Sequence, residues 1–345
     1  MIKYAILCKP GHNRVYFEQS KRLSEAELKM AFPRLDVSCS EVAGEYIAGV
    51  FYLTFTAAEE LTGKAFEAVS RLSFVYALFI VSGEMLRPIA RTNPRFMDEG
   101  ISSMLKYTGK TNELFTAMLI NAALFASDFS ACDRIKLLDP IAGKGTTLFE
   151  GLVNGFDVCG IEIGDKVVAE VHAFFKKYLE TERYKHSGHA EKISGENKSF
   201  RAQRYSFLLA HTKEELRDGD ARSLEIIAGN SVYANKLYRK NTFDILVGDL
   251  PYGVQHGNVT AEKQSSLTRN PSELLNACLD SWRDVLKRGG AMSLAWNSFV
   301  LPREEMCALL TEHGFTVMTG EAYDCLEHRV DSAIKRDVIV ARKDG

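Results

Sequence analysis

The sequence predicts an α/β protein: a doubly wound, mostly parallel sheet with an antiparallel strand at its edge, preceded by a small α+β unit. Three observations predict it. Beyond residue 112, segments with strand and helix periodicity alternate, which demands right-handed crossovers between parallel strands. Residues 4–86 instead hold short β-branched and aromatic runs around two helical stretches. Residues 87–107, with Pro88, Pro94 and several arginines, read as a linker. The boundary falls at residue 92, giving units of 1–92 and 93–345.

In chain order, the first unit reads strand, strand, helix, strand, strand, helix, strand, with helices at 24–31 and 57–70 and a strand at 46–54. Residues 112–126 have helical spacing. Then come a strand at 135–139, a helix at 146–154, a strand at 157–163 and a helix at 165–179. The charged stretch 176–204, where Tyr178, Tyr184 and Phe200 interleave with Lys and Arg, reads as a solvated helix face followed by an irregular insertion. The same mix also suits gripping a phosphate backbone. A strand at 243–249, a helix at 272–286, a strand at 291–297 and a helix at 303–313 follow. Residues 315–322 and 336–341 are strands with no helix between them, an antiparallel pair at the sheet edge.

The 345 residues are 46% hydrophobic and 26% charged, an ordinary globular composition. The longest apolar run, 72–81, is too short to span a bilayer, and residues 1–9 lack a signal-peptide pattern, so no membrane contact and a cytoplasmic location are expected. Seven cysteines are scattered without a C-x-x-C pair, and His186 and His189 lack partners at ligand spacing; neither disulfides nor a metal are expected. The net charge of −2 shows no surplus of cations for nucleic acid, so any such claim rests on local chemistry.

That chemistry begins at Asp139-Pro140-Ile141-Ala142-Gly143-Lys144-Gly145-Thr146-Thr147, which follows one strand and opens a helix, the place where open α/β sheets bind ligands. Gly143 and Gly145 let the backbone approach a ligand, and Thr146 and Thr147 are expected to cap the helix while its amides face an anionic group. A P-loop needs Gly where Leu138 stands and Ser or Thr at Gly145. A dinucleotide fingerprint needs Gly at Leu148, and Asp139 repels a pyrophosphate. An acid at the strand end suits S-adenosylmethionine, whose ammonium and sulfonium are cationic. Glu162, about 20 residues on, stands where an acid accepts from both ribose hydroxyls, with Ile163 beside it. Asp220 and Ala221, in Gly219-Asp220-Ala221-Arg222, are candidates for the adenine amine.

The strand at 243–249 runs into Asp249-Leu250-Pro251-Tyr252-Gly253. An exocyclic amine of a nucleobase is a poor nucleophile because its lone pair is delocalised into the ring. The Asp249 carboxylate and the Leu250 carbonyl can accept its two N–H groups and turn the lone pair outward, and the acid can take the proton. Pro251 stiffens the turn, Tyr252 offers a face for a flipped base, and Gly253 leaves it room.

The motifs DPIAGKGTTL, GIEI and DLPYG, in that order, resemble the RNA methylase family related to the THUMP-associated tRNA guanine-N2 methyltransferases, over residues 93–345. The resemblance implies a Rossmann-like methyltransferase sheet, S-adenosylmethionine as cofactor, and RNA, tRNA in particular, as substrate and partner. It leaves room for a small activating protein, and implies that the first unit, ferredoxin-like or partially THUMP-like, docks the RNA. By the same resemblance Asp139, Gly143, Gly145, Glu162 and Asp220 hold the cofactor, and Asp249 to Tyr252 hold the base. Leu250 at the second motif position is similar to the guanine-N2 enzymes, where DNA adenine enzymes usually have Pro. Ribosomal RNA and DNA methylation, a non-catalytic RNA-binding scaffold and a nicotinamide-dependent dehydrogenase are the alternatives. Gln255, His256, Asn258 and Arg269 form a polar loop of lid length, and His328, between the last two strands, reads as structural.

Overall fold

The computed structural model describes residues 1–10, 14–92, 95–105, 110–130, 133–195, 199–251 and 271–345, with the side chains of 14–18 left aside. The first 89 residues build β1 (Ile2–Cys8), α1 (Arg14–Ala31), β2 (Cys39–Ile47), β3 (Val50–Ala57), α2 (Gly63–Ser70), β4 (Val75–Ser82) and β5 (Met85–Ile89). Their antiparallel sheet has the order β2-β3-β1-β4-β5, a ferredoxin-like βαββαβ pattern with one added edge strand.

Four readings of this region are corrected. The second strand expected before residue 24 is the first half of α1, whose buried Leu23, Ala26, Glu27 and Met30 recur every three to four residues. The single strand at 46–54 is a hairpin: Ala48 and Gly49 have φ of +49° and +80°, the two-residue turn that matches the twist of paired strands. An apolar Ile-Ala-Gly-Val string hides that turn in sequence. The helix expected at 57–70 starts at Gly63, because β3 runs on through Ala57, and the expected linker opens with β5.

Next come α3 (Ile101–Met104) and α4 (Glu113–Ala126). Asn112 caps α4, its Oδ1 accepting from the Leu114 amide at 2.8 Å. Eleven residues of α4 are buried, as befits a helix apolar on every face. One side packs on the large sheet and the other on α1. A polar seam runs beside it. The buried Glu27 accepts from the Ser73 amide (2.9 Å) and the Asn121 side chain (2.7 Å), while Arg71 and Arg95 both donate to Asn154. A single apolar cluster joins Tyr4 and Phe55 of the first sheet to Leu137 and Val158 of the second.

The remainder runs β6 (Lys136–Asp139), α5 (Thr146–Val153), β7 (Asp157–Glu162), α6 (Asp165–Thr181), β8 (Lys185–Ser194), β9 (Arg201–Ala210), α7 (Lys213–Asp218), β10 (Arg222–Ala228), α8 (Ala234–Leu237), β11 (Phe243–Asp249), α9 (Pro271–Val285), β12 (Leu286–Asn297), α10 (Arg303–Glu312), β13 (Thr316–Val317), β14 (His328–Arg329) and β15 (Lys335–Arg342). The sheet order is β13-β15-β12-β11-β6-β7-β10-β9-β8, with β14 paired to β15. Strands β10, β7, β6, β11 and β12 are parallel and β15 is antiparallel to β12. This is the doubly wound, Rossmann-like architecture with an antiparallel edge that the sequence led us to expect. Residues 243–248 are all buried, because helices cover both faces of the parallel strands.

Two corrections apply here. The expected strand at 315–322 is formed only at Thr316–Val317. The expected irregular insertion is ordered as β8 and β9, an antiparallel hairpin that extends the sheet past β10. Its alternation is masked in sequence because β8 is a solvent-exposed edge carrying polar residues on both faces.

Candidate active site

The reversal of strand order lies between β6 and β11, and their carboxyl ends open into a cleft of about 350 Å³. Thr111, Asp139, Gly143, Thr147, Glu162 and Asp249 are among the residues that line it. The structure thus gathers the glycine loop, Glu162 and the Asp249 turn around one cavity.

Asp139 ends β6 and is 3% exposed. The Ile141 amide donates to it at 3.0 Å and the Thr147 hydroxyl also donates. Burial, opposed by these hydrogen bonds and reinforced by the charges of Asp249 and Glu162, pushes its carboxyl up to about 7. The loop after it is tied to β7 by the Ala142 amide, which donates to the Ile161 carbonyl at 2.9 Å. Gly143 and Gly145 have φ of +51° and +83°, where a side chain is strained. The expectation that Thr146 and Thr147 cap the helix is corrected. Gly145 is the N-cap residue and no side chain caps α5. The first residues of α5 and the loop before them line the cleft.

Glu162 ends β7. It accepts from the Gly143 amide (3.1 Å) and the Gly164 amide (2.8 Å), while burial still raises its pKa above the ordinary value. The Ile163 amide also donates to it, so of the about four acceptor sites of a carboxylate one remains for a ligand hydroxyl. Ile163 beside it is 49% exposed. Pro140 and Ala142 shape the loop backbone, with Ala142 lining the cleft. Gly160, behind it in β7, admits no larger residue: an added Cβ would stand 2.8 Å from both the Ala142 Cβ and a Leu148 methyl. Gly160→Ala is expected to cost about 1–3 kcal/mol by overpacking and to weaken cofactor binding about tenfold by shifting the loop. Thermal unfolding and calorimetric titration check both numbers.

The structure does not bring Asp220 and Ala221 to this cleft. They precede β10, which runs parallel to β7, and so stand at the opposite edge of the sheet, where Ser223 donates to Asp157 at the start of β7. Six residues of strand, about 16 Å, separate that edge from Glu162. Gly219, with φ +90°, ends α7 as its C-cap. Asp220 is exposed and the buried Ala221 gives its carbonyl to Arg134. The residue at the correct end is Asn230, two past β10, whose Oδ1 accepts from the Val232 amide at 3.0 Å. A Gly-Asp-Ala string imitates a strand-end acid, and only the strand direction tells them apart.

Asp249 ends β11 beside Ala295 of β12. The Leu250 amide donates to the Ala295 carbonyl at 2.8 Å, which fixes the turn, and Leu250 is buried while Pro251 is exposed on the cleft wall. Tyr252, and the polar loop with Gln255, His256, Asn258 and Arg269, lie outside the described residues. Sequence reasoning missed Thr111. Its hydroxyl donates to Asp249 Oδ2 across the cleft, held there because the next residue, Asn112, caps α4. The only sequence signal was a helix start, and nothing in it announces a partner 138 residues away. Thr111→Val is expected to lower kcat about 10- to 100-fold, with Thr111→Ser close to wild type, because a catalytic group displaced by about 1 Å loses that much. Steady-state kinetics with saturating cofactor test it.

His328 is 6% exposed, edge-on to Phe115 at 5.3 Å, and burial pushes it down to about 4, so it stays neutral and structural as expected. No helix among the described residues is long and apolar enough to cross a membrane.

No protein-family model matches the chain, and no curated protein does. Solved structures similar in part include TehB from Haemophilus influenzae (13% identity, 78% of this chain and 81% of that one, TM-score 0.39). A candidate RNA methyltransferase of Pyrococcus horikoshii aligns at 12% identity over 72% of this chain and 96% of its own, TM-score 0.38. A Burkholderia thailandensis 1,6-didemethyltoxoflavin N1-methyltransferase, solved with S-adenosylhomocysteine, aligns at 13% identity over 62% and 73%, TM-score 0.35. Likeness at these scores is partial and bears on neither substrate nor site residues.

Proposed function

From the cleft just described, we propose that this chain is a methyltransferase that uses S-adenosylmethionine to methylate an exocyclic amine of a nucleobase, guanine N2 of tRNA being the target. The observation that carries the reading is the Asp249 carboxylate, oriented by Thr111, in the same cleft as Asp139, Glu162 and the glycine loop. The donor set fits the cofactor. Three carboxylates in one cleft suit a cation, and Lys144, which also lines it, is paired with Glu170 at 3.0 Å. Asp139 would hold the ammonium, the N-terminal amides of α5 the carboxylate, Glu162 the ribose, and Ile163 with Asn230 the adenine.

The cofactor supplies an activated methyl group. The chain's own residues prepare the acceptor. Asp249 and the Leu250 carbonyl accept the two N–H groups of the amine, which frees the lone pair, and Asp249 takes the proton that the amine loses on methylation. Thr111 holds one carboxylate oxygen in place. Support for RNA comes from the Asp-Leu-Pro-Tyr string and its resemblance; in this reading residues 1–92 form an RNA-docking unit and 93–345 the catalytic one.

Transfer of labelled methyl from S-adenosylmethionine to unmodified tRNA, ribosomal RNA and duplex DNA, followed by nucleoside analysis, tests the proposal. N2-methylguanosine in tRNA is the expected product. N6-methyladenine in DNA alone would keep the chemistry and replace the substrate.

A further inference from the structure

The β8–β9 hairpin is an appendage that the parallel sheet does not need, and its register sets its tip on the edge where the cleft opens. Ala228, the last residue of β10, pairs with Gln203, which pairs with Lys192. Between this hairpin and the start of α6 lies a groove of about 530 Å³ lined by Lys192, Ser194, Arg201, Gln203, Asp165 and Ala228, among others.

Lys192 and Arg201 are both exposed, and neither has an ion-pair or hydrogen-bond partner among the described residues. Four arginines elsewhere are spent on structure: Arg204 pairs with Glu191 and Glu225, Arg134 with Asp157, Arg303 with Asp337 and Arg342 with Asp128. The two free cations share one face of the hairpin as diagonal neighbours, about 7–8 Å apart at their Cβ atoms. Asp165 adds the groove's one negative charge, set at the N-terminus of α6 where it is favoured by the helix dipole.

From β11 to β8 the sheet order counts five steps of about 4.8 Å, so the groove stands roughly 24 Å from Asp249 along one edge. A stacked strand carries one phosphate per about 3.4 Å, so about seven nucleotides cover that span. We propose that the hairpin groove is a backbone site for the RNA whose base enters the cleft, with Lys192 and Arg201 neutralising two of its phosphates. It rests on the methyltransferase reading for its direction, but its test does not need transfer to occur.

The test is anisotropy of a labelled, unmodified tRNA transcript bound to the full chain over a range of salt concentrations, for wild type and K192A/R201A. Each lost phosphate contact removes about 0.7–0.9 from the slope of log affinity against log salt, so the slope should shrink by about 1.4–1.8. Binding at low salt should weaken about tenfold or more, K192E/R201E should weaken it further, and affinity for S-adenosylmethionine should be unchanged. An unaltered slope overturns the proposal, as does a wild type that fails to bind RNA or a double variant that loses cofactor instead. Should the slope respond as expected while no RNA accepts a methyl group, the backbone site stands and the catalytic reading falls.

Discussion

Replacing Asp249 with Ala will abolish methyl transfer to within assay limits, a loss of at least about 1000-fold in kcat, while S-adenosylmethionine binds within about threefold of wild type. The figure follows from what the carboxylate does. A positioned general base is worth about 10²–10⁴, and one preorganised polar contact to the reacting group about 10²–10³. In the proposed mechanism Asp249 combines both roles at the end of β11, where the Leu250–Ala295 backbone bond and the Thr111 hydroxyl hold it. The cofactor's predicted contacts lie on β6, β7 and α5 instead, so they survive the substitution. Asp249→Asn keeps the shape and one acceptor but not the base, and should retain more activity than Asp249→Ala. Single-turnover transfer with parallel calorimetric titration measures the two effects. Equal loss of binding and turnover would reassign Asp249 to the cofactor.

Asp139→Asn will have opposite effects on binding and on stability. Asp139 is buried with its carboxyl raised from 3.8 to about 7. Between those values the folded protein holds a proton that the unfolded chain has released, so the ligand-free protein is most stable below about pH 4 on this account. Stability is lost as pH rises toward 7 and levels off above it. Glu150, raised by burial to about 7 as well, contributes the same sign. The Asn variant removes the Asp139 share, so it should melt higher than wild type at pH 8 and show a shallower pH slope, with the Glu150 share left.

Cofactor binding runs the other way. The ammonium needs Asp139 ionised, so wild-type binding should tighten as pH rises through 7, up to tenfold per unit, with release of about one proton. Asp139→Asn should bind about 100-fold more weakly at pH 8 and lose that dependence. Titrations in buffers of different ionisation enthalpy count the proton. Binding that is independent of pH from 6 to 8 in the wild type would remove Asp139 from the ammonium site.

What the sequence determined by itself was whatever depends on neighbours along the chain. Alternating periodicity yielded the doubly wound sheet, because parallel strands buried on both faces need helical crossovers. The loop from Asp139 to Thr147, Glu162 at its strand end and the Asp249 turn were legible because each is a local string at a strand terminus. The β8–β9 hairpin, with its exposed, polar edge strand β8, and the apolar turn at Ala48-Gly49 were not, since neither breaks its periodicity where the chain turns.

Tertiary structure decided what depends on direction and on distant partners. Asp220 has the right neighbours and the wrong end of the strand: parallel pairing of β10 with β7 sends it to the far edge and brings Asn230 to the near one. Thr111 has no motif at all, and meets Asp249 only because α4, apolar on every face, is buried against the large sheet with its capped N-terminus over the cleft. A side chain's chemistry is written in the sequence, but which charge, hydroxyl or amide it faces is set by packing, and packing is a property of the whole chain.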